Sequence, residues 1–196
     1  EPISLMPGAS DTLEFPVAPP AEAQYVVWII EIDTSSGMSS PAKVYDYVQF
    51  PILKTIDIQM ANGWNMVSAP SYAEDMRKST LFPSAISSAF GYNGSSYQII
   101  DTLLPNKGYW VKFGLPQFIS VCGYEFTSGT VDVDEGWNMI GSLSVPILVS
   151  GITSDPPGIT TSQFFGFDDG YHGYDTLIPG KGFWIKVTNT GTLTLS

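Results

Sequence analysis

The chain has 196 residues, of which 14% are charged, with nineteen acids against eight bases and a formal net charge of −11. Binding to nucleic acid or to an anionic membrane needs a positive face that releases counterions. With Arg77 as its only arginine, the chain lacks the material for one, and that class of partner is excluded. The apolar share of 43% is ample for a buried core. Nineteen glycines and fifteen prolines stay below the roughly 25–30% combined share that marks low-complexity disorder. One cysteine, Cys122, and one histidine, His172, leave no material for an intrachain disulfide or a Cys/His zinc cluster. A hydrolase of the triad type would have to use His172 as its base. No run approaches the ~18 apolar residues of a membrane-spanning helix. The start at Glu1-Pro2 reads as that of a processed product or a fragment.

In chain order, residues 1–54 hold three candidate strands, at Thr12–Val17, Gln24–Ile32 and Ala42–Phe50, the last two separated by the polar loop Asp33–Pro41. This pattern resembles the last strands of an immunoglobulin-like or fibronectin-like sandwich. A whole domain of that kind takes ~100 residues and about seven strands, so the segment is read as a partial sandwich. An unpaired edge on it would invite strand addition from another chain.

The rest of the chain is an internal repeat, covering 55–128 and 129–196. Gly63-Trp64-Asn65-Met66-Val67 recurs as Gly136-Trp137-Asn138-Met139-Ile140, and Phe90-Gly91-Tyr92 as Phe165-Gly166-Phe167. Asp101-Thr102-Leu103 recurs as Asp175-Thr176-Leu177, and Lys107-Gly108-Tyr109-Trp110-Val111-Lys112 as Lys181-Gly182-Phe183-Trp184-Ile185-Lys186. Thr55–Gln59 and Thr130–Asp134 alternate apolar and polar with period two, as half-buried strands do. Tyr109–Phe113 and Phe183–Val187 are aromatic and β-branched, which suits a pleated surface. Asn62-Gly63, Asn93-Gly94, Asp169-Gly170 and Pro179-Gly180 mark turns. Each copy therefore reads as a compact unit of about five antiparallel strands, with one short helical piece expected around Ser84–Ala89. The fold class is all-β.

The blocks Gly63-Trp64-Asn65-Met66-Val67-Ser68-Ala69-Pro70 and Lys107-Gly108-Tyr109-Trp110 resemble a repeat near the C-termini of large secreted or cell-surface proteins of Bacteroidetes, Ignavibacteria and related bacteria. There it often follows immunoglobulin-like or fibronectin-like domains, and many of those proteins are type IX secretion cargo. The resemblance implies a secreted or surface location and a modular architecture; it brings no catalytic residues. The first copy departs from the pattern with Asn106 where the second has Gly180.

Among residues able to carry chemistry, Trp64, Trp110, Trp137 and Trp184 occupy matched positions. Core packing is the favoured reading, since each buried ring removes about 150–250 Å² from water; a sugar-stacking face is the alternative. Asp101 with Lys107, and Asp175 with Lys181, recur at one spacing, and the carboxylates are expected to satisfy turn N–H groups. Asn65 and Asn138 are expected to bridge backbone groups. The acids Asp168, Asp169 and Asp175 form the better of two candidate calcium clusters, ahead of Asp132, Asp134 and Glu135. Tyr92, Tyr97, Tyr171 and Tyr174 flank polar turns and are the candidate glycan-binding residues. Cys122 is expected to be buried at a strand end, and His172 to lie in an exposed loop.

The expectation is a non-catalytic structural, adhesion or assembly module of a secreted or surface-attached bacterial protein, whose expected partners are other domains of the parent protein or copies of itself. Polymerisation by strand addition belongs to this reading. The alternatives are a carbohydrate-binding accessory module, which asks for exposed coplanar aromatics and glycan partners, and an accessory fragment of a larger exported hydrolase.

Overall fold

The computed structural model describes the backbone of Val26–Ile32 and Ala42–Val48, and residues 53–196 in full. The chain divides into two units, Glu1–Pro51 and Ile52–Ser196. In the first, β1 (Val26–Ile32) and β2 (Ala42–Val48) pair antiparallel over their whole length, from Val26 opposite Val48 to Ile32 opposite Ala42. The strand expected at Thr12–Val17 lies outside the described residues, and with it the test of a partial sandwich.

The second unit holds both repeats, and it is all-β. The first copy runs β3 (Leu53–Met60), β4 (Gly63–Val67), the four-residue helix α1 (Lys78–Leu81), β5 (Ala89–Tyr92), β6 (Tyr97–Ile100), β7 (Tyr109–Phe113) and β8 (Gln117–Tyr124). β3 pairs with β8, and the other four strands form a sheet in the order β4-β7-β5-β6. The second copy runs β9 (Gly129–Val133), β10 (Gly136–Ile140), β11 (Ile147–Leu148), β12 (Thr153–Asp155), β13 (Phe164–Phe167), β14 (Tyr171–Tyr174), β15 (Thr176–Leu177), β16 (Phe183–Val187) and β17 (Gly191–Leu195). Its four-stranded sheet, β10-β16-β13-β14, has the order of the first. A three-stranded sheet β12-β17-β9 stands where the first copy has two strands, and β11 pairs with β15.

Period-two alternation gives each four-stranded sheet two apolar faces. On β7, Tyr109, Val111 and Phe113 point into a core shared with Ile58, Met60, Ile119 and Val121 of the β3–β8 layer. On β16, Phe183, Ile185 and Val187 do the same against Val131, Val133, Leu193 and Leu195. Trp110 and Trp184 take the opposite parity, and with Met66 and Met139 they form a third cluster between the copies.

Two expectations are corrected here. The helix is at Lys78–Leu81, and Ser84–Ala89 is not helical. That stretch is held by the end of β7: Ala85 bridges Phe113, Ile86 N–H donates to Lys112 O at 2.8 Å, and Lys112 N–H donates to Ser87 Oγ at 2.8 Å. The backbone groups are satisfied across the sheet, so no local helix is needed. Cys122 is exposed, because the parity that buries Ile119, Val121 and Gly123 on β8 turns position 122 outward.

Candidate functional site

The two copies are joined by a seam whose bonds come in matched pairs. Gly108 N–H donates to Met139 O at 3.2 Å, and Gly182 N–H donates to Met66 O at 3.1 Å. Gly141 N–H reaches Asn106 O at 2.8 Å, and Ser68 N–H reaches Gly180 O at 2.9 Å. Lys107 Nζ donates to Asp132 O at 2.8 Å, and Lys181 Nζ donates to the equivalent carbonyl of the first copy, Gln59 O. The pairing is that of a local two-fold axis. It explains the Lys-Gly-aromatic-Trp block. A Cβ on Gly108 would stand 2.7 Å from Ile140 O, and one on Gly182 2.9 Å from Val67 O, closer than van der Waals contact permits. Asn106 and Gly180 share a left-handed backbone, with φ of 60° and 78°; asparagine is the side chain that tolerates this best after glycine, which accounts for the one departure between the copies.

Beside the seam, the outer faces of the two four-stranded sheets form two open clefts. One, of ≈ 480 Å³, is lined by Trp64, Phe90, Tyr97, Trp110, Phe167 and Tyr171. The other, of ≈ 440 Å³, is lined by Trp137, Phe165, Tyr171, Trp184, Tyr92 and Tyr97. Residue for residue these are the same site: four rings from one copy, two from its twin. Tyr97 and Tyr171 belong to both, so the clefts are continuous. Neighbouring rings meet at steep angles: 87° for Trp64–Trp110, 77° for Trp110–Phe167, 86° for Trp137–Trp184 and 75° for Tyr92–Trp184. Edge-to-face contact of this kind is favoured by the ring quadrupole. Lys112 Nζ stands 5.9 Å above the Trp64 ring and Lys186 Nζ 6.0 Å above that of Trp137, both within cation–π range. Burial pushes the Tyr97 phenol above its ordinary pKa, and the neighbouring Trp110 indole works the other way.

The tryptophans are therefore divided. Trp184 is buried at 9% exposure, whereas Trp64 and Trp137 are 43% and 42% exposed, against the expectation of core packing for all four. Their strands carry them on the second face of the sheet, which the twin copy covers only in part. Of the candidate tyrosines, Tyr92, Tyr97 and Tyr171 line the clefts. Tyr174 packs against Phe183 at 5.5 Å and joins the core of the second copy.

Asn65 bridges backbone as expected: its Oδ1 accepts from Ala61 N–H at 2.9 Å, and its Nδ2 donates to Ala61 O and Gly63 O at 2.9 and 3.1 Å. Asn138 repeats the arrangement with Asp134 and Gly136. Asp101 and Asp175 differ from expectation. Their main-chain carbonyls accept from Lys78 and Val149 N–H at 2.7 and 2.8 Å, and among the described residues their side chains take no hydrogen bond, while the paired lysines cross to the other copy. Asp168 and Asp169 line a third hollow of ≈ 690 Å³ together with Lys181 and Asn65. Burial lowers the Lys181 pKa, with Asp168 pulling the other way. Asp175 is not part of that hollow. Among the described residues no three His, Cys, Asp or Glu side chains converge as a metal site would need. His172 is exposed on β14, its Nε2 3.1 Å from Asp168 O. The signal that the sequence did carry for the clefts was the matched set of aromatics; what it lacked was the partner across the seam. Comparison of the chain with protein-family models, with curated proteins and with solved structures finds no match.

Proposed function

We propose that the chain is a non-catalytic recognition module of a secreted or surface-attached bacterial protein, and that its two aromatic clefts are the working surface. The observation that carries this reading is the exposure of Trp64 and Trp137 at matched places in two continuous clefts. Large exposed apolar patches on folded proteins mark sites of contact with something else, and tryptophan is enriched where contacts are strongest. A spacer needs the cores and the seam; it has no use for aromatic surface left open to water twice over. The secreted location rests on the resemblance of the repeat blocks. A planar sugar platform is less well supported than when read from the sequence, because the rings stand at steep angles to one another. The test is to probe glycan and peptide arrays with the full chain and with the Trp64→Ala/Trp137→Ala variant. Binding by the native chain, lost in a variant that keeps its melting profile, supports the reading. Identical behaviour of the two proteins on both arrays overturns it.

A further inference from the structure

We propose that the clefts take a proline-rich peptide segment in the polyproline II conformation, with acidic residues at its ends; this rests on the recognition reading above. Three features of the walls favour that occupant. First, the rings stand at 54° and 86° to one another at the second cleft's Trp137–Phe165 and Trp137–Trp184 contacts, which makes slots for a compact ring rather than a flat bed for a pyranose. Second, the polar atoms on the walls are indole N–H groups and phenols. Indole N–H can only donate, and the phenols of Tyr97 and Tyr171, protonated at neutral pH, each carry an O–H able to donate. Polyproline has no N–H to satisfy, makes no internal hydrogen bonds and presents bare carbonyls. A glycan hydroxyl, which both donates and accepts, finds few acceptors here. Third, the charges are complementary. Neither cleft has a carboxylate in its lining, and Lys112 and Lys186 stand over Trp64 and Trp137, one beside each cleft. These ammonium groups attract acidic flanks and repel a cationic guest. The local two-fold adds that a chain running in either direction meets the same rings.

The experiment is a fluorescence titration of the full chain, in which Trp64, Trp110, Trp137 and Trp184 report from the clefts. The probes are an oligoproline peptide capped by glutamate at both ends, the same oligoproline without glutamates, a glycine-serine peptide of equal length, and cellohexaose. The expected result is a saturable change with both oligoprolines and none with the glycine-serine peptide. Trp64→Ala and Trp137→Ala should each weaken binding roughly tenfold or more, as loss of a central aromatic anchor does. The milder Trp64→Phe and Trp137→Phe variants serve if an alanine variant melts early. Lys112→Gln/Lys186→Gln should weaken the capped peptide and leave the uncapped one unchanged. Absence of saturation with oligoproline, or equal binding of the glycine-serine peptide, overturns the inference. Saturation with cellohexaose while oligoproline is silent overturns it and leaves the recognition reading standing; the array experiment decides that reading separately.

Discussion

The two copies agree where they touch each other and differ where they face away. Both carry Lys-Gly at the seam, a turn-closing asparagine, and a Trp on each of two paired strands. Away from the seam, the first copy has α1 and a two-stranded outer layer, whereas the second has a third strand, β12, and the small β11–β15 pair. Duplicated sequence is therefore kept at the seam, where a change in one copy must still fit the other, and the added elements lie where each copy packs on itself.

The largest expected effects test whether the copies share one folding transition. Leu103 and Leu177 are matched and fully buried, one in each core. Leu103→Ala and Leu177→Ala should each cost about 2–5 kcal/mol. Because the seam couples the cores, both should lower the midpoint of one common urea transition; two transitions, only one of which moves in each variant, would show that the copies unfold independently. Next comes the asparagine pair. Asn65 is buried and Asn138 only half-buried, though they make the same three bonds. Truncation to alanine strands turn groups at a cost of about 1–3 kcal/mol, and Asn65→Ala should be the more damaging in thermal unfolding.

Lys181 sharpens the comparison through pH. Its folded pKa lies below the ordinary 10.5 because burial disfavours the charge. The unfolded chain then binds more protons between the lowered value and 10.5, so this group makes stability rise with pH through that window and contributes no slope below it. Lys181→Met should abolish that increment, read as the difference between the two proteins' stability curves, while losing about 1 kcal/mol from the bond to Gln59 O. The smallest effect is expected at Asn106, whose left-handed backbone and buried, unpaired Oδ1 are both relieved by Asn106→Gly. A gain of a few tenths of a kcal/mol is expected, about one degree in Tm for a unit of this size; a clear loss would assign the weak Asn106 Nδ2 contact to Thr130 O a larger role.

Much of the fold is legible in local pattern. β7 and β16 fall where aromatic and β-branched runs place them, and the Asn-Gly and Asp-Gly turns join the strands they separate. Ser84–Ala89 failed because its hydrogen-bond partners are on β7, some 25 residues away, and no local periodicity records that. The tryptophans failed for a related reason. Alternation along Tyr109–Phe113 tells that the strand has two apolar faces, but not that one is covered by its own copy and the other only partly by the twin. Lys107 and Lys181 were read with the nearest carboxylate in sequence, whereas their partners are carbonyls across the seam. Local signals specify elements; the site is made by a contact between elements that only duplication brings together.

The glycine seam has a consequence for the chain as a polymer. Only the short connection Glu125–Ser128 links β8 to β9, so each copy holds the other at an effective concentration in the millimolar range or above. A single copy released from this tether would carry the same bonding edge with nothing to satisfy it, and mass action would then decide its state. At high dilution it would stand alone with its seam wetted, and at higher concentration it would pair with another of its kind. Tandem duplication has made a concentration-dependent association independent of concentration.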